Sequence, residues 1–88
     1  VSKHSDARLL VEVLAVGGGT LQLENVTNLQ VRLEDGSWMG IRPGHAPLIA
    51  ATSDGDLQYS TGEEMQAVHV KAGILSIADN IVSILTTH

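Results

Sequence analysis

The chain has no cysteine and no phenylalanine, and it carries one tryptophan and one tyrosine in 88 residues. Without thiols it has neither a disulfide frame nor a thiolate metal site. With so few aromatics it lacks the platforms on which nucleic-acid bases or sugar rings stack. Basic residues are scarce as well. Lys3, Arg8, Arg32, Arg42 and Lys71 are scattered along a chain of net charge −5, so no stripe exists to neutralise successive phosphates. A nucleic-acid partner is therefore not expected. No uncharged apolar run approaches the roughly 18 residues of a membrane-spanning helix, so direct membrane insertion is not expected either. The polar opening SKHSDAR does not read as a signal peptide.

What is present is aliphatic. Apolar residues make up 43% of the chain, and Leu, Val, Ile and Ala must fill the core. Branched aliphatics suit a pleated, half-buried surface, and the spacing agrees. Arg8 to Val16 reads as a strand, broken by Gly17-Gly18-Gly19. Those glycines could cradle a phosphate only if a helix began directly after them, and TLQLENV alternates with period two instead. Leu29, Val31 and Leu33 continue the alternation. Turns are expected at Glu34 to Ser37, Ser53 to Gly55, Thr61-Gly62 and Asp79-Asn80. The last two strands, GILSIA and IVSILTT, are apolar on both faces and should lie centrally in their sheet. No window holds a helical period. Short strands separated by frequent turn signals predict an all-β protein, a flattened β-sandwich of about eight to ten strands. Residues 1–88 form one domain, with residues 1–7 expected to be flexible.

Candidate chemistry is thin. His4 and His88 are terminal, and His69 alternates with Val68 and Val70 and should face outward. No two histidines stand at metal-ligand spacing, and there is no GxSxG elbow. The pairs Glu34-Asp35 and Glu63-Glu64 are adjacent in turns, so their carboxylates do not converge as an acid and base would. No catalytic residue, cofactor site or metal site is expected, and the chain is expected not to be an enzyme by itself. The alternative is a small β-sandwich binding or metal-dependent domain that uses His45 or His69 with Asp35.

The segment DGSWMGIRPGHAPL, residues 35–48, is the informative one. Pro43-Gly44 suits the centre of a type II turn, and Pro43 and Pro47 push Arg42 and Ala46 towards extended backbone. His45 is thus stiffened from both sides. Such a corner either turns the chain within a sandwich or presents a preorganised surface to a partner. Trp38 sits in a glycine-bounded turn. A single Trp is more often folded onto the core; if exposed, Trp38 and Met39 beside Arg42 have the make-up of an interaction hot spot.

Together, GSWMGIRPGHAPL and the later HVKAGILSIADNIVSILTT closely resemble the N-terminal domain of the ε subunit of F-type ATP synthases, called δ in mitochondria. The resemblance spans about Leu9 to Thr87. It implies a β-sandwich rotor part of the central stalk, peripheral to the energy-transducing membrane and on its cytoplasmic face in a bacterium. Its partners would be the γ subunit and the c-ring, whose proton-driven rotation it would couple to ATP synthesis. Carried over by position, Pro43, Gly44, His45, Ala46 and Pro47 would lie against γ, with Arg42 at their border. Asp35, Gly36, Ser37 and Trp38 would face the c-ring. Trp38 stands where relatives often have an acidic residue, which Glu34 or Asp35 would then replace. Arg42 stands where an apolar or aromatic residue is usual. Relatives commonly continue into two α-helices that brake hydrolysis or bind ATP, and that role is not expected of these residues. In isolation a monomer or a weak homodimer is expected.

Overall fold

The structure is a computed structural model that describes residues 7–62 and 64–86. Those residues form nine strands. They are β1 (Leu9–Ala15), β2 (Thr20–Val26), β3 (Asn28–Arg32), β4 (Trp38–Ile41), β5 (Leu48–Thr52), β6 (Gly55–Ser60), β7 (Met65–Val70), β8 (Gly73–Ala78) and β9 (Ile81–Thr86). A five-stranded sheet has the order β2-β1-β9-β8-β5, and a four-stranded sheet the order β4-β3-β6-β7. The all-β sandwich expected from the spacing is present. Of the segment expected to be flexible only Ala7 is described; His4, Glu63, Thr87 and His88 lie outside the described residues.

Period-two alternation builds the core. Leu9, Val11 and Val13 of β1 point inward, as do Leu75 and Ile77 of β8 and Val82 and Ile84 of β9. Leu29, Val31, Ile41, Leu57 and Val70 meet them from the other sheet. Each such side chain contributes about 1.5–3 kcal/mol by leaving water. No aromatic is among these fully buried residues; Met39 and Tyr59 pack against them at the margin, partly buried. One hydroxyl does polar work here. The buried Thr52 Oγ1 donates to Gly73 O and accepts from Gly73 N, both at 3.1 Å.

The local turns follow their chemistry. The β8–β9 hairpin closes on Asp79 and Asn80, whose φ values of 53° and 64° are left-handed. Gly17 to Gly19 lead into a strand, not a helix, so no phosphate cradle forms. Strands β8 and β9 are interior strands, as their apolar character predicts.

One feature departs from the sequence reading. Trp38 does not sit in a turn. It begins β4, which pairs with β3 in the register Arg32↔Trp38, Val31↔Met39 and Leu29↔Ile41. The turn before it is tight enough to reverse the chain at once, so strand pairing resumes one residue after Ser37. Strand β1 runs parallel to β9, the only parallel pair among the described strands, joining the start of the domain to its end.

Candidate functional site

The chain leaves β4 at Ile41 and enters β5 at Leu48, and the six residues between form the corner. His45 N donates to Arg42 O at 3.1 Å, which closes a turn with Pro43 and Gly44 at its centre. Gly44 has φ of 90°, a conformation that a side chain resists, so the Pro-Gly pair is required by the backbone. Gly44 N donates to Asn80 Oδ1 at 2.7 Å. The β8–β9 hairpin thus pins the corner through a side chain 36 residues away. His45 Nδ1 lies 2.7 Å from Ala46 O. A carbonyl only accepts, so Nδ1 carries the proton, and in the neutral ring Nε2 is left as an acceptor.

On one side of this corner lies an open cleft of about 410 Å³, lined by Asn28, Gln30, Gly40, Arg42, Pro43, Gly44 and His45. The Gln30 amide lies across Gly40, where an added Cβ would stand 3.2 Å from Gln30 Nε2. Asn28 Oδ1 is buried with no hydrogen-bond partner among the described residues. On the other side, Pro47, Leu48, Ile49, Ser76, Ile77 and Ala78 line an apolar groove of about 600 Å³. Pro47 and Ile49 connect this groove to the outer face of the five-stranded sheet.

That outer face is unusually apolar for a surface. Ala51 pairs with Ile74, Ile74 with Leu85, and Leu85 with Leu14, in a row across four strands. A second row joins Ala78, Ile81 and Leu10. Ile49 is 74% exposed, Leu85 52% and Ile74 48%. Between the two rows run Ser76, Ser83 and Glu12, with Ile49 at the edge of that polar row, so the exposed apolar surface forms two stripes. Apolar stripes exposed in this way favour a covering partner. The outer face of the other sheet is polar, carrying Gln30, Arg32, Asp56, Gln58 and His69.

The turn before β4 is a separate unit. Asp35 Oδ1 accepts from Ser37 Oγ at 2.6 Å and from Ser37 N at 2.9 Å. The Ser37 hydroxyl, and then its amide, hold the Asp35 carboxyl below its ordinary value. A lowered value means the bonds favour the ionised form, so their contribution is complete above pH 3.8 and fades as pH falls through the folded-state value. On titration from pH 7 towards pH 2, the Ser37 amide resonance should therefore stay fixed until the pH has fallen below about 3.8 and then move as the turn loosens; NMR reads this directly. Next to it, Trp38 is 46% exposed, and Arg32 lies over its ring at 5.7 Å from the centroid. Trp38 is therefore a surface residue, not a core one. Its register opposite Arg32 puts it on the outer face.

The alternative site does not assemble. His45 follows edge strand β4 while His69 lies on the opposite edge strand, β7, so the sheet holds them apart. His69 Nδ1 contacts Asp56 at 3.3 Å, an exposed pair. Among the described residues no group of three or more His, Asp or Glu could hold a metal ion. Asn28, Gln30 and Asn80 are corner and cleft residues that the sequence reading did not single out. Their residue types fit turns and exposed strand faces, and only the fold brings them to the corner.

Comparison with known proteins follows this geometry. The family description "ATP synthase, Delta/Epsilon chain, beta-sandwich domain" matches residues 9–88. An ATP synthase epsilon chain of Leptospira borgpetersenii serovar Hardjo-bovis (strain JB197) is 43% identical over 51 residues, covering 58% of this chain and 40% of its own. Another, from Solibacter usitatus (strain Ellin6076), is 36% identical over 62 residues, 70% of this chain and 46% of its own. The chain spans about half the length of such relatives. Among solved structures, the central stalk/c-ring of Tetrahymena thermophila mitochondrial ATP synthase contains a chain that matches with TM-score 0.68 at 11% identity. The match covers 92% of this chain and 64% of that one. That likeness is one of fold.

Proposed function

Because the chain belongs to the family of the ATP synthase delta/epsilon β-sandwich domain, we propose that it serves as a foot of the central stalk in F-type ATP synthase. In this reading it is a non-catalytic coupler. It docks on the γ subunit and rests on the c-ring, so that proton-driven rotation of the ring reaches the catalytic subunits. It works peripherally at an energy-transducing membrane, on the cytoplasmic face where that membrane is a bacterial one, held there by its partners.

One observation carries this reading: the apolar outer face of the five-stranded sheet runs through Pro47 and Ile49 into the stiffened corner. Apolar stripes edged by a rigid turn suit a large, stable protein contact, which buries about 1,200–2,000 Å². Arg42, Pro43, Gly44, His45, Ala46 and Pro47 are assigned to the γ contact. Asp35, Gly36, Ser37 and Trp38 are assigned to the c-ring contact, where the Asp35 carboxylate supplies negative charge and the exposed indole an apolar plate. Transmission of torque asks for stiffness and not for reactive groups. Two sheets closed on a fully aliphatic core provide it.

The test is co-expression with the cognate γ subunit, followed by purification through a tag on γ. The chain should be retained at one copy per γ. Recovery of γ without it, from cells in which both are soluble, would refute the proposal.

A further inference from the structure

The cleft beside the corner has a chemical signature that a general docking surface does not require. Arg42 lines it, and no lining residue is acidic. The ion pair found among the described residues, His69–Asp56, is elsewhere, so no carboxylate among the described residues neutralises the Arg42 guanidinium. Arg32 and Lys71 also have no carboxylate partner among the described residues; what sets Arg42 apart is its place at a cleft that no acidic residue lines. A second, independent feature lies in the same cleft: the buried Asn28 Oδ1, an acceptor without a donor. A buried polar atom left unpaired is costly, and since Oδ1 itself is screened from solvent, an occupant that draws the Asn28 amide towards the cleft and donates to it relieves that cost.

We infer that this cleft receives an aspartate or glutamate side chain of the γ subunit, its carboxylate on Arg42 and an adjacent N–H of γ on Asn28 Oδ1. This rests on the docking reading above and names the chemistry of the contact. The guanidinium fork matches a carboxylate bidentately. Gln30, lying across Gly40, offers an amide in the same cleft. A phosphate fits less well. The turn's amides are committed, Gly44 N to Asn80 Oδ1 and His45 N to Arg42 O, so they form no anion nest. No Phe, Tyr or Trp lines the cleft to stack a base.

The test measures the affinity of the whole chain for purified γ, using wild type, Arg42→Gln, Arg42→Lys and Arg42→Glu. Arg42 is exposed, so the variants should melt as wild type does, which a thermal scan checks. Arg42→Gln should weaken binding on the order of 10- to 100-fold, and Arg42→Lys, which keeps the charge but loses the fork, by less. Arg42→Glu should be worst and should be rescued by an Asp→Arg or Glu→Arg change at one acidic position of γ, found by scanning those positions. Wild-type affinity in Arg42→Gln, with wild type itself binding γ, overturns the inference and leaves the docking reading intact. Failure of wild type to bind γ overturns both. Displacement of γ by inorganic phosphate at constant ionic strength would overturn the carboxylate assignment.

Discussion

Gly73→Ala should cost the domain about 3 kcal/mol or more, and Gly73→Val should leave it unfolded. A Cβ built on Gly73 would stand only 2.2 Å from the backbone oxygen of Leu85, and 2.8 Å from both Leu85 C and Thr86 Cα. These are main-chain atoms, so no rotamer change relieves the clash. The strands themselves must separate. Yet β9 is held between β1 and β8, and Gly73 is tied on its other side by the Thr52 hydroxyl. Overpacking a core ordinarily costs about 1–3 kcal/mol, and this site belongs at or beyond the top of that range. A domain of this size has a total stability of roughly 4–13 kcal/mol. The measurable result for Gly73→Ala is a fall in melting temperature of roughly 12 °C or more. Gly17→Ala is the control, since a Cβ there meets nothing within 4 Å, and it should stay within about 0.5 kcal/mol of wild type. A Gly73→Ala melt that coincides with the Gly17→Ala melt would show that the β8–β9 pair can part freely.

Gly73 also marks where sequence reading reaches its limit. The strands were legible because a two-residue period is local, and so were the turns. Pro43-Gly44 and Asp79-Asn80 adopt the conformations that their side chains favour. Pairing is not local. Nothing in Gly73 announces Leu85 as its neighbour, and nothing in Asn80 announces Gly44. Trp38 shows an intermediate case. With β4 unrecognised as a strand, composition favoured the core; with β4 paired to β3, inward Met39 and Ile41 leave Trp38 no choice but the outer face. The doubly apolar strands β8 and β9 carry a subtler lesson. Their interior place in the sheet was legible, but an interior strand is flanked by neighbours at its edges, not covered on both faces. Ile74 and Leu85 remain exposed. The family resemblance identified the corner, whereas the cleft partners Asn28 and Gln30 emerged only from the fold.

On the proposed docking, the double substitution Ile74→Glu with Leu85→Lys should weaken γ binding severely while sparing the fold. The two residues are direct cross-strand partners on the outer face of the five-stranded sheet, 48% and 52% exposed. Both point away from Leu75 and Ile84, which carry the inner packing. Replacing an apolar pair with an opposite-charge pair keeps a favourable cross-strand contact, and the intrinsic strand penalty stays within about 1 kcal/mol. Melting should therefore shift by only a few degrees. Docking is affected differently, because Ile74 and Leu85 stand at the middle of the row that runs from Ala51 to Leu14. Central apolar anchors commonly contribute about 2 kcal/mol or more each, so removing two, with charge added, should weaken γ binding on the order of 100-fold or more. The Arg42 variants and this pair separate two contributions to one interface. Salt should weaken the first contact and leave the second nearly untouched, because screening acts on charge and not on apolar burial. A double variant that binds γ as wild type does would confine the interface to the corner and leave the apolar face to another occupant.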